Sequence, residues 1–95
     1  MAVKVLIDRK VPPDVSAEFS SLIKELRKRS IAQPGYISGE SLRRVDEPGE
    51  ILVIATWQTV DDYMKWVFSK ERAEIQEKID ALLGTETVYK VYQYD

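Results

Sequence analysis

The residues with the clearest potential for chemistry are aromatic and lie close together in the middle of the chain. Trp57 and Trp66, the only two tryptophans, stand nine residues apart, and Tyr63 precedes Trp66 by three residues. On a helix, that spacing places Tyr63 and Trp66 on one face. Large flat rings suit the wall of a pocket for a planar ligand. The alternative is that Trp66 packs the helix onto a sheet and that Trp57 closes the end of that sheet.

Asp8 is the candidate for acid–base catalysis. It lies at the end of an apolar N-terminal segment, on the same strand face as Lys4 and Leu6. A carboxylate that points into an apolar pocket has a raised pKa and can remove a phenolic proton. The alternative is an exposed strand end, at which Asp8 pairs with Arg9 or Lys10.

Two arginines and a second tyrosine are further candidates for substrate binding. Arg43 and Arg72 could bind an anionic or enolate oxygen, although surface salt bridges are the commoner fate of arginines. Tyr36 is one of five tyrosines, which could orient a substrate phenol but also suit strands and interfaces. Among the five, Tyr63 is the preferred pocket residue because it neighbours Trp66 on the predicted helix.

Missing residue types narrow the chemistry. The chain has no cysteine and no histidine. This excludes thiol nucleophiles, thiolate metal sites and iron–sulfur clusters, and it removes the commonest general base near neutral pH. Acidic residues have the spacing of helix-surface charges, and no glycine-rich segment opens a helix. We therefore expect no metal site and no phosphate-binding loop.

The composition predicts one globular domain over residues 1–95, with 44% hydrophobic and 32% charged residues. A net charge of −2 provides no basic field for nucleic acid or an anionic membrane. No apolar run approaches the roughly 20 residues that cross a bilayer, and the N-terminus has no signal-peptide core. We expect a cytoplasmic protein.

The first half of the chain has the pattern of a strand followed by a helix. Residues Val3–Asp8 are rich in β-branched side chains, as in a largely buried strand. Two adjacent prolines then prevent the strand from continuing. Apolar residues spaced by three and four predict a helix from Ala17 to about Ile31, with Asp14 or Ser16 as its N-cap.

A hairpin is predicted next. Its strands are Tyr36–Val45 and Ile51–Trp57, and a turn of sequence DEPG joins them. Because Ile51–Trp57 is the most apolar segment, it is expected to be the central strand. Gly39 within the first strand indicates a bulge, a bend, or close approach by another group.

The last third predicts a helix in two pieces and a final strand. Thr59 is the expected N-cap of the first piece, and Ser69 restarts the helix. Gly84 is the expected end of this helix, because a glycine that follows the last turn readily adopts the left-handed backbone conformation. Residues Thr87–Tyr94 then alternate like a strand rich in aromatic side chains.

This order of elements, β-α-β-β-α-β, predicts an α+β protein of the ferredoxin-like type, with an antiparallel four-stranded sheet and helices on one face. The other face of the sheet would still present valine, isoleucine and tyrosine. Because an apolar face of that size rarely remains in water, we expect a homodimer through this open sheet face.

The middle of the chain resembles the antibiotic biosynthesis monooxygenase superfamily, the dimeric α+β barrels. The resemblance lies in PGYISGESLRR, a turn, and ILVIATWQTVDDYMKWVFSKERAEI, and it extends from Gln33 to about Leu83. In that family Pro-Gly-aromatic opens the second strand, and a strand ends in Trp before a helix that carries another Trp. The resemblance implies a homodimer with a pocket between sheet and helices in each subunit. Some relatives oxygenate polycyclic aromatic substrates without metal or flavin, others degrade haem, and others act on small quinones or signalling molecules.

The haem-degrading branch provides a residue-level comparison. Its pattern is an Asn on the first strand, a Trp on the helix, and an iron-ligating His ten residues further. Trp66 matches the tryptophan, Asp8 is assigned to the first-strand position, and Gln76 stands where the histidine would be. Without an axial ligand, haem degradation is disfavoured. Gln76 remains a candidate substrate-binding residue.

The resulting hypothesis is a homodimeric, cofactor-independent monooxygenase for a small planar aromatic or quinol ligand. The alternative is a non-catalytic, ligand-binding or stress-related dimer that keeps the fold and pocket. An RNA-recognition module shares this topology, but the chain lacks the aromatic and basic residues that such a module carries on its central strands.

Overall fold

The computed structural model describes residues 1–95, which form an antiparallel sheet with three α-helices on one face. A single 3₁₀ turn, Pro13–Val15, leads into the first helix. The elements in chain order are β1 (Val3–Lys10), α1 (Ser16–Ile31), β2 (Tyr36–Arg43), β3 (Glu50–Trp57), α2 (Val60–Val67), α3 (Lys70–Leu83) and β4 (Val88–Gln93). The predicted ferredoxin-like α+β fold is confirmed.

The strands lie in the order β2-β3-β1-β4, with every neighbouring pair antiparallel. Both β1 and β3 are interior strands, in agreement with the apolar character of each. Val3 is opposite Trp57 and Val5 is opposite Ala55 across this central pair. Since side chains alternate along a strand, the register assigns Val3, Val5, Ile7 and Arg9 to one face of β1.

The helices cover that face of the sheet and divide the core into two clusters. One cluster lies under α2 and contains Val3, Val5, Ala55, Trp57, Tyr63 and Trp66. The other lies between α1, α3 and the end of β1, and contains Val11, Phe19, Ile75, Ile79 and Leu83. The opposite face, which carries Leu6, Leu52 and Ile54, has no helix against it. We refer to it as the open face.

The ends of the helices follow local sequence signals in three of four predicted cases. The hydroxyls of Thr59 and Ser69 accept hydrogen bonds from backbone N–H groups at the starts of α2 and α3. Gly84 ends α3 with φ of 68°. The predicted N-cap of α1 at Asp14 or Ser16 is wrong. Residues after Pro12 form the 3₁₀ turn, which places Val15 at the N-cap without a side-chain hydrogen bond.

Gly35 fixes the entry to β2 against the start of α2. Its φ is +87°, in the left-handed region that favours glycine, and a Cβ there would overlap the Asp62 carboxylate. The Gly35 carbonyl accepts a hydrogen bond from the backbone N–H of Gln58 at 2.7 Å. The glycine of the Pro-Gly-aromatic motif therefore permits close packing of this loop on the β3–α2 connection.

Gly39 has the close neighbour that its place in a strand predicts. The hydroxyl of Tyr36 lies 2.5 Å from the position that a Cβ of Gly39 would occupy, closer than two such atoms can approach. A register shift between Tyr36 and Ser38 forms the bulge that precedes it. Both features turn the Tyr36 ring along the helix-covered face of β2.

None of the helices is long and apolar enough to cross a membrane.

Candidate functional site

A cleft lies between the sheet and the helices α1 and α2. Its enclosed space is about 70 Å³, and the free volume rises to about 560 Å³ when the open mouth is included. Most of its lining is apolar. The lining residues are Ile7, Arg9, Ile23, Leu26, Arg27, Ser30, Tyr36, Gly39, Glu40, Val53, Ala55, Trp57, Tyr63 and Trp66.

One wall of the cleft is aromatic. The rings of Tyr36 and Trp57 meet edge to face, with centroids 5.4 Å apart and an interplanar angle of 89°. Trp57 and Tyr63 are 5.9 Å apart at 58°. Trp66 lies one turn after Tyr63 on α2 and also lines the cleft. The structure thus brings together all four aromatic residues that the sequence singled out, in a wall suited to a flat ring.

Trp57 is also part of the scaffold. Its side chain is 1% exposed and belongs to the core cluster under α2. It therefore combines the two roles that the sequence left open, since it closes the end of the sheet while its ring borders the cleft.

Burial raises the pKa of Tyr63, which the nearby Arg72 guanidinium partly offsets. Because the ordinary value is already 10.0, the Tyr63 phenol is protonated at neutral pH. In that form its hydroxyl is a hydrogen-bond donor to a ligand oxygen and not a base.

Arg9 is a cleft residue that the sequence considered only as an ion-pair partner for Asp8. It extends β1 beyond the predicted strand end, faces the helices, and is 3% exposed. Its Nη2 donates to Oε1 of Gln76 at 3.2 Å, while its Nε has no hydrogen-bond partner. Burial lowers the pKa of Arg9, and the neighbouring Tyr89 phenol acts in the opposite direction. The sequence does contain a signal for this position: Arg9 continues the alternation of Val3, Val5 and Ile7 on one face of the strand.

Arg72 and Gln76 lie behind the cleft and do not line it. Arg72 donates to the hydroxyl of Tyr89 and to the carbonyl of Val67, and its guanidinium lies 5.2 Å from the centre of the Tyr89 ring. Gln76 accepts from Arg9 and donates to Asp80 at 2.8 Å. Both candidates are held by protein groups, so the expectation that they contact substrate directly is not met by their positions.

Asp8 and Arg43 lie away from the cleft. Asp8 is opposite Leu52 and Val88 in the sheet, which places it on the open face, across the sheet from Trp66. Burial raises the pKa of Asp8, and the neighbouring Glu50 carboxylate raises it further. The shift has the predicted direction, but Asp8 lies on the open face and not in the apolar cleft, and the causes there are burial first and the Glu50 carboxylate second. Arg43 is exposed at the end of edge strand β2.

The raised pKa of Asp8 leads to a prediction about stability and pH. The folded state disfavours the ionised carboxyl of Asp8. Its contribution to the stability of the fold is therefore complete below the ordinary pKa of 3.8, and it is lost as the pH rises through the pKa in the folded state. Asp8→Asn is therefore expected to stabilise the protein at pH 7 by about 0.5 kcal/mol or less, because exposed charges are screened. The gain should vanish below pH 3.8. Urea unfolding at several pH values measures the difference.

The control is Asp46→Asn, for which the expected sign is opposite. A hydrogen bond from Arg44 lowers the pKa of Asp46, so removal of this carboxylate should destabilise the protein at neutral pH. If Asp8→Asn were destabilising at pH 7, burial and the Glu50 carboxylate would not disfavour the ionised form of Asp8 at this strand end.

Solved structures with the same fold cover nearly the whole chain. A conserved protein from Methanosarcina mazei Go1 is 21% identical with a TM-score of 0.92, over 100% of this chain and 94% of that one. SnoaB, a cofactor-independent oxygenase from Streptomyces nogalater, is 19% identical with a TM-score of 0.85, over 99% and 93%. Rv0793 from Mycobacterium tuberculosis is 16% identical with a TM-score of 0.87, over 99% and 95%. At these identities the likeness shows the fold.

Sequence comparison adds a relative and a family. A 42.8 kDa protein in the whiE locus of Streptomyces coelicolor is 25% identical over 77 residues, which is 81% of this chain. The match spans only 19% of that longer protein. The sequence model of the family described as antibiotic biosynthesis monooxygenase matches residues 2–78. The matched segment includes the whole aromatic wall and Arg9. The chain belongs to the antibiotic biosynthesis monooxygenase family.

Proposed function

We propose that the protein is a cofactor-independent monooxygenase that acts on a small planar aromatic substrate, such as a quinol or polyphenol, bound in the cleft. The observation that carries this proposal is the apolar cleft with its wall of four aromatic rings. Family membership supports the reaction type, and the cofactor-independent oxygenase SnoaB has the same fold.

The reaction needs an electron-rich substrate that can itself reduce dioxygen. Loss of a proton gives a phenolate, whose charge is shared with a ring carbon that then forms a bond to oxygen. For a ring carbon that carries two hydrogens in the keto form, one oxygen atom becomes the new carbonyl. The other leaves as water with those hydrogens. All four electrons that reduce dioxygen come from the substrate, so the balance closes without an external reductant.

Each cleft residue has a defined part in this proposal. Trp66 borders the substrate ring, while Trp57, which is 1% exposed, supports the rings of Tyr36 and Tyr63 from behind. Tyr63, protonated at neutral pH, donates a hydrogen bond to the substrate oxygen as negative charge develops there. The largely apolar lining excludes water and so strengthens that hydrogen bond.

Oxygen consumption with a panel of hydroquinones and naphthols tests the proposal. We expect the protein to accelerate consumption for at least one of them. Tyr63→Phe, which removes only the hydroxyl, should lower kcat/KM by about ten- to a hundredfold, the usual effect of losing one hydrogen bond to a charged group. The control variant is Glu77→Gln, a charge change on the exposed side of α3, which should leave the rate unchanged.

Two outcomes would count against the proposal. Equal rates for Tyr63→Phe and the unaltered protein would remove Tyr63 from the site. No acceleration with any substrate would favour a non-catalytic, ligand-binding protein. That second function is consistent with a cleft in which Glu40, at the mouth, is the only carboxylate and histidine and cysteine are absent.

We further propose that the protein is a homodimer through the open face. Half-buried Leu6, Leu52 and Ile54 occupy its centre. Leu42, Val88 and Tyr92 extend the apolar surface to both edges and are about half exposed. A second copy of the same sheet would cover this surface in a two-fold symmetric contact.

A further inference from the structure

Arg9 is a buried cation at the cleft without an opposite charge paired to it. The salt bridges of the chain do not include it. The side chains that hydrogen-bond with it are the amide of Gln76 and the phenol of Tyr89, neither of them a carboxylate, and its Nε, which is also buried, has no partner. A buried ion without a counter-charge is costly, and an anion with free lone pairs offsets that cost. The cleft is where such an anion would reach the guanidinium.

The groups around Arg9 do not supply that counter-charge. The titratable neighbours on the packed elements are Tyr63 on α2, Arg72 and Asp80 on α3, and Tyr89 on β4. Asp80 uses the same oxygen to accept hydrogen bonds from the amide of Gln76 and the hydroxyl of Thr87. Two guanidinium groups therefore share the inner region with one carboxylate. The other charged residues of the cleft, Arg27 on α1 and Glu40 on β2, are exposed and of opposite charge, so the field at the inner side is positive.

We propose that Arg9 is the anion-binding residue of the cleft, and that the ligand is an acidic phenol or enol bound through its deprotonated oxygen. This inference rests on the proposed binding of a planar ring and names the form in which that ring binds. The proton passes from the ligand O–H to solvent at the open mouth. The electron pair left on oxygen accepts hydrogen bonds from the guanidinium. Ionisation of the ligand therefore needs no carboxylate base inside the cleft, the role for which Asp8 was a candidate.

The test uses 4-nitro-1-naphthol, a planar phenol whose anion absorbs visible light and which is too electron-poor to reduce dioxygen readily. Absorbance titration gives the pKa of the free and the bound probe, over the pH range in which the circular dichroism of the protein is constant. We expect the pKa of the bound probe to be lower by about one unit or more, equivalent to at least about tenfold tighter binding of the anion.

Two arginine variants locate the effect. Arg9→Met keeps the side-chain length, and replacement of a buried charge by an apolar group is often tolerated. Arg9→Met should abolish the pKa shift of the bound probe and weaken binding of its anion about tenfold or more. The affinity for the protonated probe should change little. Arg27→Met removes the exposed arginine at the mouth and should retain most of the shift, because exposed charges are screened.

The outcomes separate this inference from the proposed function. A bound probe with an unchanged or higher pKa would overturn the role of Arg9, whether or not Arg9→Met folds. Absence of probe binding at millimolar concentration, or a shift that persists in folded Arg9→Met, would overturn it as well. A lowered pKa that depends on Arg9, without oxygen consumption for any quinol, would support the anion site and reject the monooxygenase.

Discussion

Replacement of Trp57 by alanine is expected to lower the free energy of unfolding by about 3–5 kcal/mol, the usual cost of truncating a buried Phe or Trp side chain. Trp57 is 1% exposed, lies opposite Val3 in the sheet, and contacts the rings of Tyr36 and Tyr63. Since small domains are stable by only about 5–15 kcal/mol, this loss is a large part of the total. Urea unfolding followed by circular dichroism at fixed protein concentration measures it.

Phe68→Ala is the matched control, because it also truncates an aromatic side chain. Phe68 is 78% exposed just after α2, so the expected change is within about 0.5 kcal/mol. A loss below about 1 kcal/mol for Trp57→Ala would contradict the packing described for this ring.

Much of the fold follows from local signals in the sequence. Thr59, Ser69 and Gly84 mark helix ends by mechanisms that need only neighbouring backbone groups, and the structure agrees at all three. The cap of α1 was misplaced because Pro13 suits the start of either a 3₁₀ turn or an α-helix. Asp14 therefore lies inside the turn and not at the cap.

The site was predicted less well, and β1 shows why. Ending that strand at Asp8 left Arg9 outside it, and charged residues at strand ends are usually exposed. The strand in fact continues to Lys10, because β3 pairs with it as far as Glu50. That longer pairing keeps Arg9 in phase with Ile7, under the helices, and puts Asp8 on the open face. The extent of pairing depends on residues ~40 positions away in the sequence, so alternation alone did not decide it.

Gln76 illustrates a second limit. Ten residues separate it from Trp66, which on a continuous helix would fix the angle between the two side chains. Here α2 ends at Val67 and α3 begins at Lys70. The break interrupts the helical phase, and Trp66 lines the cleft while Gln76 lies behind it, next to Arg9. The sequence contains the break at Ser69, but not the angle between the helices.

Association through the open face should be visible as a mass of twice the 11.0 kDa of one chain in light scattering at micromolar concentration. Ile54→Glu is expected to reduce that mass to a single chain. Ile54 lies opposite Leu6 and Glu40, near the middle of the open face. In a two-fold contact each substitution is present twice, so two carboxylates would be buried in one apolar interface without a partner.

The specificity of this result depends on two further variants. Val45→Glu makes the same kind of change at a residue that is 97% exposed in the turn after β2, and it should leave the double mass intact. Leu42→Glu, at an open-face residue that is already 46% exposed, disturbs the fold of one chain less than Ile54→Glu and should still weaken association.

A single-chain mass for the unaltered protein would refute the dimer. Loss of the dimer in Val45→Glu would instead place the contact at the β2–β3 turn. Because the cleft and Arg9 lie across the sheet from this face, a monomeric but folded Leu42→Glu protein should still lower the pKa of the bound naphthol probe.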